Sequence, residues 1–418
     1  MVFAAFAVRL FFLLVFHTYR LSGMDDYCSY GEVGNIAASI AKGQGFSSPF
    51  GSEYTGPTAW IAPAYPYFFS LVLRIFGIMT QASTACIFVI QGLISALTVI
   101  PILGIANRTV GRRAGLWAAW AWILFPWFSK WSVTWIWETS LSALLAALLF
   151  WYALWLSEAR TRKAWIGFGA LSGFALLVNP ALALLLPPFY AWCCYTLYLS
   201  KKEWLKPALL AILTCAVMVS PWMIRNRAVF RQWVFLRSNF GFELGVGNYH
   251  NSFGRGWGGF HPTGNPREYA KYKTLGEIGY IQNDQKAAVQ FMREYPMEFM
   301  TLIAKRILYF WDGSAMGYRN RVAWYWVPSS FGVFSFLLLP ALLVAHSQKL
   351  HAWQMFFGAI LLYPLPYYVT SSQVRFRHII EPLMVLLMAY AAVEAVNWVA
   401  SFIRSKVPSP ALSIPAEN

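Results

Sequence analysis

Charge is scarce in this chain. Of 418 residues only 12% are Asp, Glu, Lys or Arg, and only 17 are acidic. A soluble domain carries about 25% charged residues. With 58% of the residues hydrophobic, the deficit excludes water as the main solvent of the folded chain. Alternating segments of about ten residues, the mark of a membrane β-barrel, are also lacking. The apolar runs are long and continuous, which leaves helices as the spanning element. Cysteine is sparse: Cys28, Cys86, Cys193, Cys194 and Cys215 are odd in number and show no metal spacing. That excludes a disulfide framework and a zinc site. No basic block interleaved with aromatics stands on a soluble domain, so the net charge of +16 does not point to nucleic acid. No nucleotide-phosphate loop and no convincing internal repeat occurs either.

What remains is apolar sequence in long blocks. A hydrocarbon layer of about 30 Å needs about 20 apolar residues per helix. Ten spans are expected, near 2–20, 86–106, 114–129, 139–157, 164–179, 181–199, 206–224, 323–345, 353–370 and 380–402. The stretch Val2 to Phe16 lacks the basic start and small-residue cleavage site of a secretory signal, so it is read as the first span. The short connections carry Arg108, Arg112 and Arg113, then Arg160, Arg162 and Lys163, then Lys201, Lys202 and Lys206, then Lys349, and the tail adds Arg404 and Lys406. Placing all of these in the cytoplasm puts both termini inside. The segment Tyr65 to Gly77 is too short to span and contains Arg74, which suits an interfacial helix. The expected architecture is therefore an all-α polytopic membrane domain over 1–402. It has interfacial helices, two large extracytoplasmic loops at 21–85 and 225–322, and a disordered cytoplasmic tail at 403–418. Within the loops, Gly31 to Lys42 reads as a short helix with Val33, Ile36, Ala37 and Ile40 on one face. Lys286 to Met300 reads as another, broken at Pro296, and Met300 to Tyr309 suits the membrane surface.

The first loop holds the residues suited to chemistry. Asp25, Asp26 and Glu32 precede a turn-rich stretch, Gly43 to Phe50, and then Thr55 to Tyr67, rich in proline and aromatics. A carboxylate can take the proton of an attacking hydroxyl. Aromatic faces such as Trp60 and Tyr65 can hold the apolar side of a sugar ring. A solvated loop with ordinary turn residues fits the same composition.

This loop resembles the first extracytoplasmic loop of the GT-C glycosyltransferases, in particular the bacterial branch related to protein O-mannosyltransferases and the lipid A aminoarabinose transferase. The matching pieces are Glu32, Ile36-Ala37, Gly43 to Phe46, and Pro63-Ala64-Tyr65-Pro66-Tyr67 running into Phe76-Gly77. Similar stretches continue at Trp137-Glu138-Thr139, Asn179-Pro180, Ser220 to Asn226, Arg237 to Asn248 and Ser371 to Pro382. The resemblance implies a GT-C-like fold and an acidic general base, Glu32 by preference, with Asp26 and then Asp25 behind it. Relatives usually carry an adjacent Asp-Glu six or seven residues before the Ile-Ala pair, whereas here Asp26 lies ten before it and Glu32 four before it.

Arginine suits a lipid-phosphate donor because its planar fork binds phosphate oxygens in pairs. Arg375 and Arg377 flank one position at the outer mouth of the last helix, and His378 adds a donor beside them. Arg225 is a further candidate, and anchoring to lipid headgroups is the plain alternative for all of them. Arg9, inside the first span, suits a snorkelling or buried paired residue. Glu138 and Glu243 are expected to line the substrate pocket, while Glu268 and Glu277 suit solvated surface. The reaction expected is inverting transfer of a sugar from a polyprenyl-phosphate donor to a hydroxyl of a glycan, lipid or protein. Its place is the extracytoplasmic face of a bacterial inner membrane. The sequence establishes no cofactor, and Asp25, Asp26 and Glu32 leave a divalent cation open. The rival readings are a flippase for lipid-linked sugars and a non-catalytic membrane scaffold.

Overall fold

The computed structural model describes residues 1–20, 27–51, 53–158, 161–252, 254, 259–313 and 327–406. Among the described residues there is no strand; one isolated antiparallel bridge joins Ser47 and Pro57. Helix α1 spans Val2–Phe16 and stops at His17, which turns left-handed (φ 49°). Two loop helices follow, α2 (Tyr27–Ala41) and α3 (Ala64–Phe76). Helix α4 (Gln81–Leu97) starts on a capping box made by Thr80 and Ser83 and runs into α5 (Val99–Arg108). Together they form one 28-residue apolar helix. The expected span at 114–129 is divided into α6 (Gly111–Leu124) and α7 (Pro126–Thr134). Pro126 forces the residue before it out of helical backbone, and Phe125 is extended (φ −75°, ψ 117°).

Helix α8 (Thr139–Leu156) is followed by α9 (Arg162–Val178), and a 3-10 turn over Pro180–Leu185 leads into α10 (Leu186–Leu199). Helix α11 (Leu205–Phe230) lies hard against α9. A Cβ on Gly169 would meet the Ala211 carbonyl oxygen at 2.2 Å, and one on Gly173 would meet Met218 Cβ at 2.5 Å. That glycine pair, four residues apart, lets the two backbones approach as in other membrane helix pairs.

The second large loop holds α12 (Phe240–Gly247), α13 (Pro266–Glu294) and α14 (Pro296–Asp312). The break at Pro296 falls where expected, but α13 begins twenty residues before the expected Lys286 and bends at Gly276 (φ 68°). The chain ends with α15 (Val327–Ser347), α16 (Trp353–Leu362), α17 (Leu365–Val369), α18 (Val374–Arg377) and α19 (Glu381–Lys406). Helix α19 thus runs four residues into the expected tail; 407–418 lie outside the described residues.

Among the described residues five helices are long and apolar enough to cross a membrane: Gln81–Arg108, Thr139–Leu156, Pro180–Leu199, Leu205–Phe230 and Glu381–Ser405. The other expected spans are shorter helices, or helical stretches with proline inside them as at 323–345 and 353–370. Arg108 pairs with Glu158 at 2.6 Å, and Arg113 donates to Asn397 Oδ1 at 3.3 Å, so these basic turns share one end of the bundle with the end of α19. The start of α8 lies about 27 Å from that end, at 1.5 Å per residue over its 18 residues.

Two cores are distinguishable. One fills the bundle. The other joins the first loop to the second, through Tyr30, Ile36, Phe50, Trp60, Phe242 and Tyr272. Helix α3 buries Tyr65, Phe69, Val72 and Leu73 there and leaves Phe68, Leu71 and Ile75 exposed. Two opposed apolar faces separated by so little polar surface suit an interfacial helix. Glu277, expected on solvated surface, is buried at the join of the two loops. It accepts from the Thr58 hydroxyl, from Ala59 N–H (2.8 Å), from Ser238 Oγ (2.8 Å) and from Tyr272 Oη (3.2 Å). Burial still pushes its carboxyl above the ordinary value. Arg9 is buried in the bundle, donating to Ser95 Oγ, Ala5 O and Trp122 O.

Candidate active site

Between the loop cap and the bundle lies a cavity of about 530 Å³. Its polar lining comes from distant parts of the chain: Glu32, Glu138, Arg237, Glu243, His261 and Arg375. Each is delivered by local sequence. Gly31 breaks α2 with φ 49° and ψ −163°, and a Cβ there would strike the Trp137 ring at 2.7 Å. Glycine is therefore required for both the turn and the approach that bring Glu32 in. Trp137-Glu138 closes the α7–α8 turn, and α18 presents Arg375.

Glu32 Oε1 lies 3.1 Å from His261 Nε2, with both side chains buried, while Glu32 Oε2 has no hydrogen-bond partner among the described residues. Burial pushes the Glu32 carboxyl up; the hydrogen bond and charge of His261, with Arg375 adding to them, outweigh it and hold the group below 4.5. Burial instead raises Glu138, against the pull of Arg237 and Arg375 and helped by the charge of Glu32. Two carboxyls in one cavity are thus driven apart, one toward the ionised form and one toward the neutral form.

Arg375 is 8% exposed and stacks among aromatics, its guanidinium carbon 4.4 Å from the Trp137 ring, 5.2 Å from Trp135 and 5.4 Å from Phe376. Its Nε and Nη1 have no acceptor among the described residues. A buried guanidinium with unused donors facing a cavity is poised for an anion. Glu243 accepts from Ser371 Oγ (3.1 Å) and Asn239 Nδ2 (3.4 Å), and Tyr367 stacks on Phe376 at 4.3 Å. The opposite wall is apolar, with Ala181, Leu184, Leu236, Pro366 and Ile379.

Residues 61–224 match the family model described as dolichyl-phosphate-mannose-protein mannosyltransferase. No curated protein sequence matches the chain. Among solved structures it resembles the oligosaccharyltransferase of Archaeoglobus fulgidus in its apo form, with TM-score 0.55, 10% identity, and 97% of this chain matching 51% of that one. It also resembles AglB of the same organism, in complex with an inhibitory peptide and a dolichol-phosphate, with TM-score 0.51, 12% identity, and 99% of this chain matching 52% of that one. ArnT from Cupriavidus metallidurans, bound to undecaprenyl phosphate, matches with TM-score 0.37 and 14% identity over 96% of this chain and 80% of that one. The chain shares its fold with the archaeal oligosaccharyltransferases. It spans about half the length of the archaeal oligosaccharyltransferases it matches.

Within this fold the residues singled out from sequence divide. Glu32, Glu138, Glu243 and Arg375 line the one cavity. Arg377 and His378 do not. In α18, residues two apart point about 200° from each other, at 3.6 residues per turn, so Arg375 and Arg377 cannot face one headgroup. Arg377 turns into the bundle, where Nε meets Glu381 Oε1 at 3.1 Å and Nη1 meets the Trp311 carbonyl at 3.1 Å. His378 Nδ1 meets Glu381 Oε2 at 2.7 Å, and its ring stacks on Trp122 at 5.3 Å. Glu381 also accepts from Trp127 Nε1 at 2.9 Å, so this cluster is a buried neutralised frame for Arg375.

Arg225 is spent on the loop: it donates to Thr58 O (2.7 Å) and Phe46 O (3.0 Å) and lies over Trp222 at 4.7 Å. Trp60 is core, against Phe50 and Phe242, and Tyr65 donates to Gln91 Oε1 inside the cap. Asp25 and Asp26 lie outside the described residues. Among the described residues no group of three or more His, Cys, Asp or Glu could hold a metal ion.

His261 and Arg237 are the functional candidates that sequence reasoning missed. His261 sits 229 residues from its partner Glu32, in a loop without periodicity, and no spacing rule connects them. Arg237 was visible only as one arginine among several in that loop; its Nε donates to Trp60 O at 3.3 Å, which fixes it at the cavity edge.

Proposed function

We propose that this protein is a GT-C glycosyltransferase that transfers a sugar from a polyprenyl-phosphate donor to an acceptor hydroxyl, with inversion, at the extracytoplasmic face of a bacterial inner membrane. The observation that carries the reading is the meeting, in one cavity, of a carboxylate with an unused oxygen and a guanidinium with unused donors. Glu32 Oε2 takes the proton of the acceptor hydroxyl. The acceptor oxygen forms its bond to the anomeric carbon as the bond from that carbon to the phosphate oxygen breaks. The electron pair leaves on the polyprenyl phosphate, whose charge Arg375 stabilises and which Arg237, at the same cavity, supports. One displacement at the anomeric carbon inverts it.

His261 holds Glu32 in position and ionised. The apolar wall of Ala181, Leu184 and Leu236 suits the first units of a polyprenyl chain. The dolichol-phosphate and inhibitory peptide bound to AglB, on a shared fold, support a lipid phosphate and a separate acceptor as partners. The arginine-bearing turns gather at the bundle end away from Glu138, which supports a cavity outside and basic turns inside.

The test is transfer by the purified protein from labelled polyprenyl-phosphate sugars, with mass spectrometry of the lipid that co-purifies. Glu32→Gln is expected to keep donor binding and lose transfer. Movement of a lipid-linked sugar across vesicles with no bond formed would replace this reading with transport.

A further inference from the structure

A second cavity, of about 370 Å³, lies in the extracytoplasmic cap and is not used by the mechanism above. That size is within the about 300–1,000 Å³ typical of small-ligand sites. Its floor is one face of α13. Asn283, Ala287, Gln290 and Glu294 recur at helical spacing, and the small Ala287 leaves a hollow between the two amides. Its walls are aromatic. Tyr249 and Phe260 meet at 4.8 Å on one side, and Phe291 and Tyr295 at 5.8 Å on the other. Phe260 is 40% exposed and Tyr295 42% exposed, so ring surface is left for a guest.

The polar groups suit a neutral guest. Asp284 is matched by Lys271 at 3.0 Å, Glu268 accepts from Tyr280 Oη at 2.9 Å, and Glu294 accepts from Gln290 at 2.9 Å. A cation would find these carboxylates engaged. The amides can donate and accept at once, as a ring of hydroxyls requires. Aromatic faces take the apolar side of such a ring.

The two cavities share a thin wall. On α12, Glu243 faces the first cavity and Gly245 and Val246 the second. A Cβ on Gly245 would meet Asp284 Cβ at 2.9 Å, so glycine lets α12 lie directly on α13. In the loop that follows, Phe260 lines the second cavity and His261, the next residue, holds Glu32 in the first.

We propose that the second cavity is a carbohydrate subsite that holds a sugar unit of the acceptor, so that the acceptor is itself sugar-bearing. The role as an acceptor site rests on the transferase reading; the binding of sugar does not. The test is saturation-transfer NMR on the full chain in nanodiscs free of glycoside detergent. The probes are methyl glucoside, methyl mannoside and methyl N-acetylglucosaminide, with tri-lysine as the cationic competitor. At least one glycoside is expected to give a signal that falls at least fivefold in Tyr295→Ala and in Ala287→Trp, which fills the hollow, and persists in Arg375→Ala. Both altered positions are exposed, and an unchanged melting temperature checks the fold. Absence of any glycoside signal, binding of tri-lysine in its place, or a signal lost in Arg375→Ala but kept in Tyr295→Ala would each overturn the proposal. None of these outcomes depends on donor turnover, so failure of the subsite and failure of the transferase reading are separable.

Discussion

Arg375 and Arg377 stand two residues apart, and their removal should have opposite consequences. Arg375→Ala deletes a preorganised donor from the cavity, and loss of one such donor costs about 10²–10³ in kcat. Stability should hardly change. The cation–π contacts given up are worth about 0.5–2 kcal/mol, and release of a buried charge whose Nε and Nη1 lack acceptors offsets that loss. Arg377→Ala leaves Glu381 buried without its guanidinium partner. Breaking a buried pair from one side costs about 3–5 kcal/mol. The assays are thermal unfolding followed by tryptophan fluorescence, and sugar transfer from a labelled polyprenyl-phosphate donor measured on the folded fraction. Arg375→Lys adds a control: it keeps the charge but loses the fork and the stacking on Trp137, so its transfer rate should fall between wild type and alanine. An Arg375→Ala protein that unfolds as readily as Arg377→Ala, or one that transfers at the wild-type rate, would refute the reasoning.

Glu32 gives a pH prediction. Its carboxyl is held low in the fold, so the base form persists as pH falls and the acid limb of kcat/KM should lie below 4.5. His261→Gln removes one of the contributions that together outweigh burial, and the limb should move upward. A limb above 4.5 in the wild type would point to Glu138, which burial raises. The same shift makes Glu32 a source of stability that is present above its unfolded pKa and lost as pH falls through the lower folded one, readable in a pH series of melting curves. Glu277→Ala strands three hydroxyls and one N–H at the join of the two loops, and about 3 kcal/mol or more of stability should be lost, measured by chemical unfolding.

By itself the sequence determined the solvent and the class of fold. Long apolar runs with few charges admit only helices in a bilayer, and the arginine-bearing turns identify one end of the bundle. It also marked Pro296 as a break and the stretch near Tyr65 as a short helix, since both are local consequences of backbone and hydrophobic pattern. The number and continuity of spans were less legible, because Pro126 and the prolines near 364 interrupt runs whose composition looks continuous. Glu32 and Arg375 could be picked out as chemically apt residues, but their meeting could not. Only the tertiary structure decided that Arg375 faces the cavity while Arg377 turns to Glu381, and that His261 reaches Glu32 across 229 residues. The physical reason is the range of the information. Solvent preference and turn chemistry are written in neighbouring residues, whereas the direction of a side chain at a helix end and the partner of a buried charge depend on what the rest of the chain packs against it.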